Sequence, residues 1–354
     1  MTVRRSHRRA LAFACGLISA CASSHEVNNP SEGTQTNNQA GRDHDAGTNE
    51  GTQTGRGRDA GTTPTSDFIA KLGPLQVVSD KLTFPEGPIW SPDESVLYFT
   101  DINADGVYKL TPPDKIDVLL MPAGHPDGLA LDQHKEIVVA GYSARNVWRL
   151  HDGAMDVIVD HVDGKKLNSP DDIVVRSDGT IYFTDPTFGL GMGEQSETGI
   201  EGVYRITPDG EIVLEDDSLS GPNGIAFSPD ETLLYVSSTY SGDIVEYDVA
   251  KNGSLSNGRT WVSGALGADS MTVDSEGNVF VASVAGISVF SADGMALGAI
   301  AVPQLTSNVS FGGPDQRTLY ITARDFFAGF GGNNAGGTLY RIDDMPVAGI
   351  PGQP

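Results

Sequence analysis

Cysteine is almost missing from this chain of 354 residues, which holds only Cys15 and Cys21, both at its N-terminal end. No disulfide can staple the body of the protein, and no thiolate can bind a metal there. Aromatic residues make up only 7%, and cations are scarce: 23 Lys and Arg face 47 Asp and Glu, for a formal net charge of −24. A polyanion of this kind is repelled by DNA and RNA, which removes nucleic acid from the partners to consider. The apolar run from Ala10 to Ala20 is too short to span a bilayer. In excess are turn residues, 43 Gly and 20 Pro. They argue against a helical bundle and suit one β-rich domain of about 250 residues or more.

Arg4, Arg5, Arg8 and Arg9 precede that run, which ends Leu17-Ile18-Ser19-Ala20-Cys21. The pattern resembles a bacterial lipobox. The resemblance implies that residues 1–20 are a signal peptide and that Cys21 is lipidated, with enough acyl chains for stable anchoring. Ala22 does not resemble an inner-membrane retention signal. The expected location is therefore that of an exported bacterial lipoprotein, on the periplasmic side of the outer membrane or at the cell surface. Residues 21–66 are Gly, Thr, Asn, Asp, Gln and Ser with few large apolar side chains, and Glu-Gly-Thr-Gln-Thr occurs at 32–36 and again at 50–54. Such a stretch cannot bury enough surface to offset its ordering entropy and is expected to be a disordered tether. The folded domain is placed at 67–354.

From residue 76 onward one pattern recurs six times. The first strands read EGPIW (86–90), DGLAL (127–131), DDIVV (171–175), NGIAF (223–227), DSMTV (269–273) and SNVSF (307–311). The second strands read VLYFTDI (96–102), EIVVAGY (136–142), TIYFTDP (180–186), LLYVSST (233–239), VFVASVA (279–285) and TLYITAR (318–324). Four strands per unit at a period of about 40–50 residues is the signature of a propeller blade, so an all-β six-bladed propeller is predicted. The first strand of each blade lines the central channel. Glu86, Asp127, Asp171, Asn223, Asp269 and Ser307 stand at its start and therefore converge on the axis at one end. Turn chemistry accounts for Asp127 and Asn223, each followed by Gly, but not for Glu86. Four carboxylates on one axis repel one another unless a cation or protons neutralise them. Oxygen ligands without His or Cys suit a hard ion, Ca²⁺ first, with Mg²⁺, Mn²⁺ and Zn²⁺ as alternatives.

The segments FPEGPIWSPDESVLYFTDI, LNSPDDIVVRSDGTIYFTDPTFG, LSGPNGIAFSPDETLLYVSS, VDSEGNVFVA and FGGPDQRTLYIT together resemble the SMP-30/gluconolactonase/LRE-like family. The resemblance spans roughly residues 76–343. It implies an axial divalent metal, often Ca²⁺, and hydrolysis of lactones and related esters. It further implies that Glu86, Asp171, Asn223 and Asp269 hold the metal, with Asp269 proposed as general base. Two departures stand out: Asp171 replaces the commoner Asn, and Asp269 is followed by Ser270 instead of Gly, which brings a seryl oxygen within reach of the metal. Some gluconolactonases also carry Glu-His where this chain has Gly141-Tyr142, which puts gluconolactone itself in doubt.

The expected chemistry is attack of water on a lactone carbonyl polarised by the ion. Asp269 is the first choice of base and Asp172 the alternative. Asp127 is a candidate for binding substrate and His125 for shuttling a proton. Phe188 in the loop 186–201, and Phe326, Phe327 and Phe330 in the loop 325–337, are expected to wall the pocket. Asp101-Ile-Asn103-Ala-Asp105-Gly106 imitates the start of an EF-hand loop, but Pro112 stands where the bidentate Glu belongs. No G-x-S-x-G elbow is present. Two other readings remain open: a non-catalytic propeller binding a protein or polysaccharide at the cell surface, and an arylesterase or organophosphate hydrolase on the same fold. The expected partner is a small-molecule lactone or ester; the membrane is met only through the lipid, and the protein acts as a monomer.

Overall fold

A computed structural model describes residues 65–325 and 336–353. Cys21, the tether, and Phe326, Phe327 and Phe330 lie outside the described residues. Within them the chain forms six four-stranded antiparallel sheets arranged as blades, plus a two-stranded hairpin, His161–Val162 with Lys165–Lys166. Blades 1 to 5 are continuous in sequence, at 85–120, 129–159, 173–216, 222–263 and 271–300. Blade 6 takes three strands from 305–342, and its fourth, outermost strand is Gln76–Leu82, which pairs antiparallel with Gly337–Ile342. The start of the domain thus closes its end.

Strand composition follows burial. Inner strands such as Leu129–Leu131, Ile173–Val175 and Met271–Val273 are wholly buried, and so are second strands such as Val96–Asp101 and Ile181–Asp185. Both faces of these strands are covered by neighbouring blades, so they are rich in Val, Ile, Tyr and Phe without alternation. Outermost strands, such as Lys115–Leu120 and Ala154–Val159, carry a mixture of exposed and half-buried residues.

The cores lie between blades. Ile89 and Tyr98 of blade 1 share a cluster with Leu129, Val139 and Trp148 of blade 2. The last junction is made the same way, with Trp90, Leu97 and Phe99 of blade 1 against Tyr320 and Leu339 of blade 6. Trp90 and Tyr320 stack there with ring centroids 6.2 Å apart. Burial of large side chains at about 25 cal/mol per Å² of apolar surface makes each junction a main source of stability. The short helix Thr65–Ile69 adds Phe68, whose ring lies 6.0 Å from Phe280 in the junction of blades 5 and 6.

Candidate active site at the axial ring

The residues that open the inner strands are tied to one another around the axis. Thr100 Oγ1 donates to the carbonyl of Asp127 (2.8 Å), and Gly128 N–H to that of Asp171 (2.8 Å). Thr184 Oγ1 donates to the Asn223 carbonyl (2.7 Å), and Gly224 N–H to that of Asp269 (3.2 Å). Ser270 N–H donates to Ser307 (3.2 Å), and Ser307 Oγ to the carbonyl of Pro85 (2.9 Å). At least one hydrogen bond thus crosses each of the six junctions. Gly128 and Gly224, expected as turn residues, serve close approach instead. A Cβ on Gly128 would stand 2.6 Å from Asp172 Oδ1, and one on Gly224 would stand 2.4 Å from the Asp269 carbonyl.

The belt brings Glu86, Asp127, Asp171, Asn223 and Asp269 to the channel end. Glu86, Asp127, Asp171 and Asn223 are buried, while Asp269 is partly exposed. Burial pushes the Glu86 carboxyl well above the usual range, and Asp269 pushes it further. Burial does the same to Asp127, with Asp171 next, and to Asp171, with Asp269 next. These groups feel one another through little intervening water, as carboxylates sharing a site do. Asp269 is raised by burial to about 7, against the pull of Arg324 and a hydrogen bond from Asn223. Arg324, the last residue of its strand, lies with its guanidinium carbon 4.4 Å from the centroid of the Phe84 ring.

Adjacent residues here do different work. Asp171 faces the other carboxylates, whereas both oxygens of Asp172 are engaged. Ile173 N–H donates to Oδ1 (3.0 Å), and Ile225 N–H (3.2 Å) and Ser270 Oγ (2.6 Å) donate to Oδ2. Asp172 thereby pins blades 3, 4 and 5 together just beneath the ring. Burial still lifts its carboxyl to about 6, those hydrogen bonds opposing. The Ser270 hydroxyl proton is committed to this contact.

Two further carboxylates end second strands and hold the chain that enters the ring. Asp101 accepts from the N–H groups of Thr83 (2.7 Å), Phe84 (2.9 Å) and Ala104 (3.1 Å), which is the use of the EF-hand-like segment. Asp185 accepts from Asn168 N–H (2.9 Å) and Ser169 N–H (2.8 Å), ahead of Asp171.

Near the ring, Phe84, Ile102 and Tyr142 form a separate buried apolar cluster with Phe188 packed on it. The Tyr142 phenol is held well above its usual range by burial and by Asp171, Asp127, Asp269 and Glu86, so it faces the ring as a neutral O–H. The loop 186–201 that carries Phe188 is a fixed wall: Glu201 accepts from Thr187 N–H (2.9 Å) and Gly221 N–H (3.0 Å), and Asn168 Nδ2 donates to Ile200 (2.7 Å). His125 is exposed; its Nδ1 lies 2.7 Å from the Ile102 carbonyl, and its N–H donates to Asp105 (2.6 Å). Arg324 was not singled out by the sequence, and Tyr142 only as a departure from the family's Glu-His. Applying to the ends of the second strands the register argument used for the first would have reached both.

No group of three Asp, Glu, His or Cys side chains among the described residues stands close enough to grip a metal ion as it is placed. The donor set nevertheless fits a hard cation in kind. All its atoms are oxygens, its carboxylates oppose one another, and Asn223 Oδ1 is buried without a hydrogen-bond partner.

The family profile described as the SMP-30/Gluconolactonase/LRE-like region matches residues 84–325, from just before Glu86 to just after Arg324. The chain belongs to the SMP-30/gluconolactonase/LRE-like family. Within it, the chain is 35% identical over 282 residues to a gluconolactonase of Zymomonas mobilis, covering 71% of this chain and 79% of that protein. It is 27% identical to the pentonolactonase XacC of Haloferax volcanii, covering 76% of this chain and 93% of that one. A solved gluconolactonase from Xanthomonas campestris superposes with a TM-score of 0.69 at 33% identity, covering 77% of this chain and 89% of that one. The Xanthomonas campestris structure thus shares the frame in which the ring is set.

Proposed function

We propose that the protein is a Ca²⁺-dependent lactonase. The observation that carries this reading is the ring itself: Glu86, Asp127, Asp171 and Asp269 crowded at one channel end, with Asn223 Oδ1 unpartnered among them. A scaffold gains nothing from concentrating carboxylates that destabilise one another. The named activities of the relatives support a lactone as substrate. Glu86, Asp171, Asn223 and Asp269 are the residues that would hold Ca²⁺, which when bound would polarise the lactone carbonyl.

Asp269 is the general base in this reading. It is the ring carboxylate that is partly exposed, where Glu86, Asp127 and Asp171 are buried, so an attacking water can reach it. Asp172 already accepts three hydrogen bonds, which suits it to hold the ring. Water gives its proton to Asp269 as its oxygen bonds to the carbonyl carbon. The ring C–O bond then breaks, and the proton passes to the departing alkoxide, leaving a hydroxy acid. Tyr142 O–H and Arg324 are donors at the same end and serve to orient the substrate.

The test is acid release in a pH-stat from sugar, aliphatic and aromatic lactones, with phenyl acetate and a phosphotriester alongside. Hydrolysis of at least one lactone, abolished by chelator and restored by Ca²⁺, is expected. A protein that opens no lactone, or one indifferent to chelator, refutes the reading.

A further inference from the structure

The acidic ring is bordered on one side by apolar surface, of which the hydrolytic step uses only the Tyr142 hydroxyl. It begins at the cluster of Phe84, Ile102, Tyr142 and Phe188. Phe188 meets Tyr240 edge to face with ring centroids 5.6 Å apart. Both rings sit over Gly221, where a Cβ would stand 2.9 Å from each of them. Tyr240 is 66% exposed. Its loop is joined to the next by Ala265 N–H donating to Gly242 (2.9 Å), which brings Leu266 alongside, 63% exposed. Val284 N–H donates to the Leu266 carbonyl (3.2 Å), and Val284 is 58% exposed. The strip therefore leads from a buried phenol facing the carboxylates to an open rim over blades 4 and 5, all at the channel end where the ring lies.

A sugar lactone carries hydroxyl groups that need partners on every side. This side offers ring faces and aliphatic carbons. We infer that the strip seats the side chain of the substrate, so that the preferred lactone carries an apolar substituent next to its ring oxygen. The inference rests on the lactonase reading and adds the substrate class to it. Tyr142, Phe188 and Tyr240 form the inner part of the seat, and Leu266 and Val284 the outer part. An alkyl chain laid along them loses water from both surfaces.

The experiment measures kcat/KM of the purified full chain with Ca²⁺ for δ-hexalactone, δ-octalactone and δ-decalactone, with glucono-1,5-lactone for comparison. Each buried methylene contributes by transfer from water. At least about a tenfold rise from δ-hexalactone to δ-decalactone is expected, with δ-decalactone above gluconolactone. In the double variant Tyr240→Ser, Leu266→Ser, which leaves Tyr142 and Phe188 in place, the decalactone-to-hexalactone ratio should fall at least about threefold, and a ratio is untouched by a uniform loss of activity. Turnover that favours gluconolactone with no dependence on chain length overturns the inference and leaves the lactonase reading standing. So does an unchanged ratio in the double variant. Failure to open any lactone removes both.

Discussion

Carboxylates at the axis and carboxylates on the outer blade strands live under opposite conditions. Outside, acids meet cations: Glu215 lies 2.6 Å from Arg205, and Asp248 is held below its usual range by Asn257 and Arg259. At the axis, Glu86, Asp127 and Asp171 are pushed the other way, by burial and by one another. An acid paired with an arginine is finished as a chemical object; its charge is already answered. The ring carboxylates, Arg324's pull on Asp269 apart, are met chiefly by one another, and in the proposed function this is what readies them for a cation. The protein accepts instability in one region that it avoids in the other, as functional sites do.

The sharpest break of this contrast is at Asp269. Asp269→Asn should lower kcat by about 10²–10⁴-fold at saturating Ca²⁺ while the fold persists. If it retains turnover and Asp172→Asn does not, the base is Asp172. Next in size is the paired region. Arg205→Met would strand Glu215, only 6% exposed in its side chain, and should cost about 3–5 kcal/mol of stability in denaturant titration. Lys115→Ala, on an open pair with Asp117, should leave the melting temperature close to wild type. A large effect at Lys115 with none at Arg205 would erase the distinction drawn between buried and open pairs.

The smallest effect is in pH, and its sign separates the two regions. Asp269 and Asp185 are raised to about 7 and Asp172 to about 6. Each therefore takes up its proton in the folded state before the unfolded chain does, so stability grows as pH falls. The gain is complete below about 4, the range of unfolded carboxyls, and is lost as pH rises through 6 to 7. Metal-free protein in chelator should melt a few degrees higher at pH 5.5 than at pH 8. Ca²⁺ needs the ring deprotonated and should reverse the order. A metal-free melting temperature that rises from pH 5.5 to pH 8 would show that the raised carboxyls do not govern stability in this range.

Much of this was readable from the chain. The six repeats gave the propeller because each blade writes its two buried strands in the same apolar code. The position ahead of each first strand gave Glu86, Asp127, Asp171, Asn223 and Asp269, because one register maps to one place on the axis. What escaped depended on partners distant in sequence. Gln76–Leu82 mixes polar and apolar residues without strict alternation, and its pairing with Gly337–Ile342 makes it a strand. Arg324 matters because Asp269 and Phe84 lie near it, one of them 240 residues away. Gly128 and Gly224 looked like turn glycines because local sequence cannot show a neighbouring blade pressing on them.

That closing strand has a consequence in time. During synthesis the first strand of the domain waits, unpaired, until the last blade has been made. Until then the carboxylates of blades 1, 2, 3 and 5 can stay apart, and their repulsion falls due when the circle shuts. Blade 6, which supplies Arg324 on one strand and the partner of Gln76–Leu82 on the next, brings a positive charge and the latch together. The chain therefore meets the electrostatic cost of its site in the same step that gives it the means to hold that site closed.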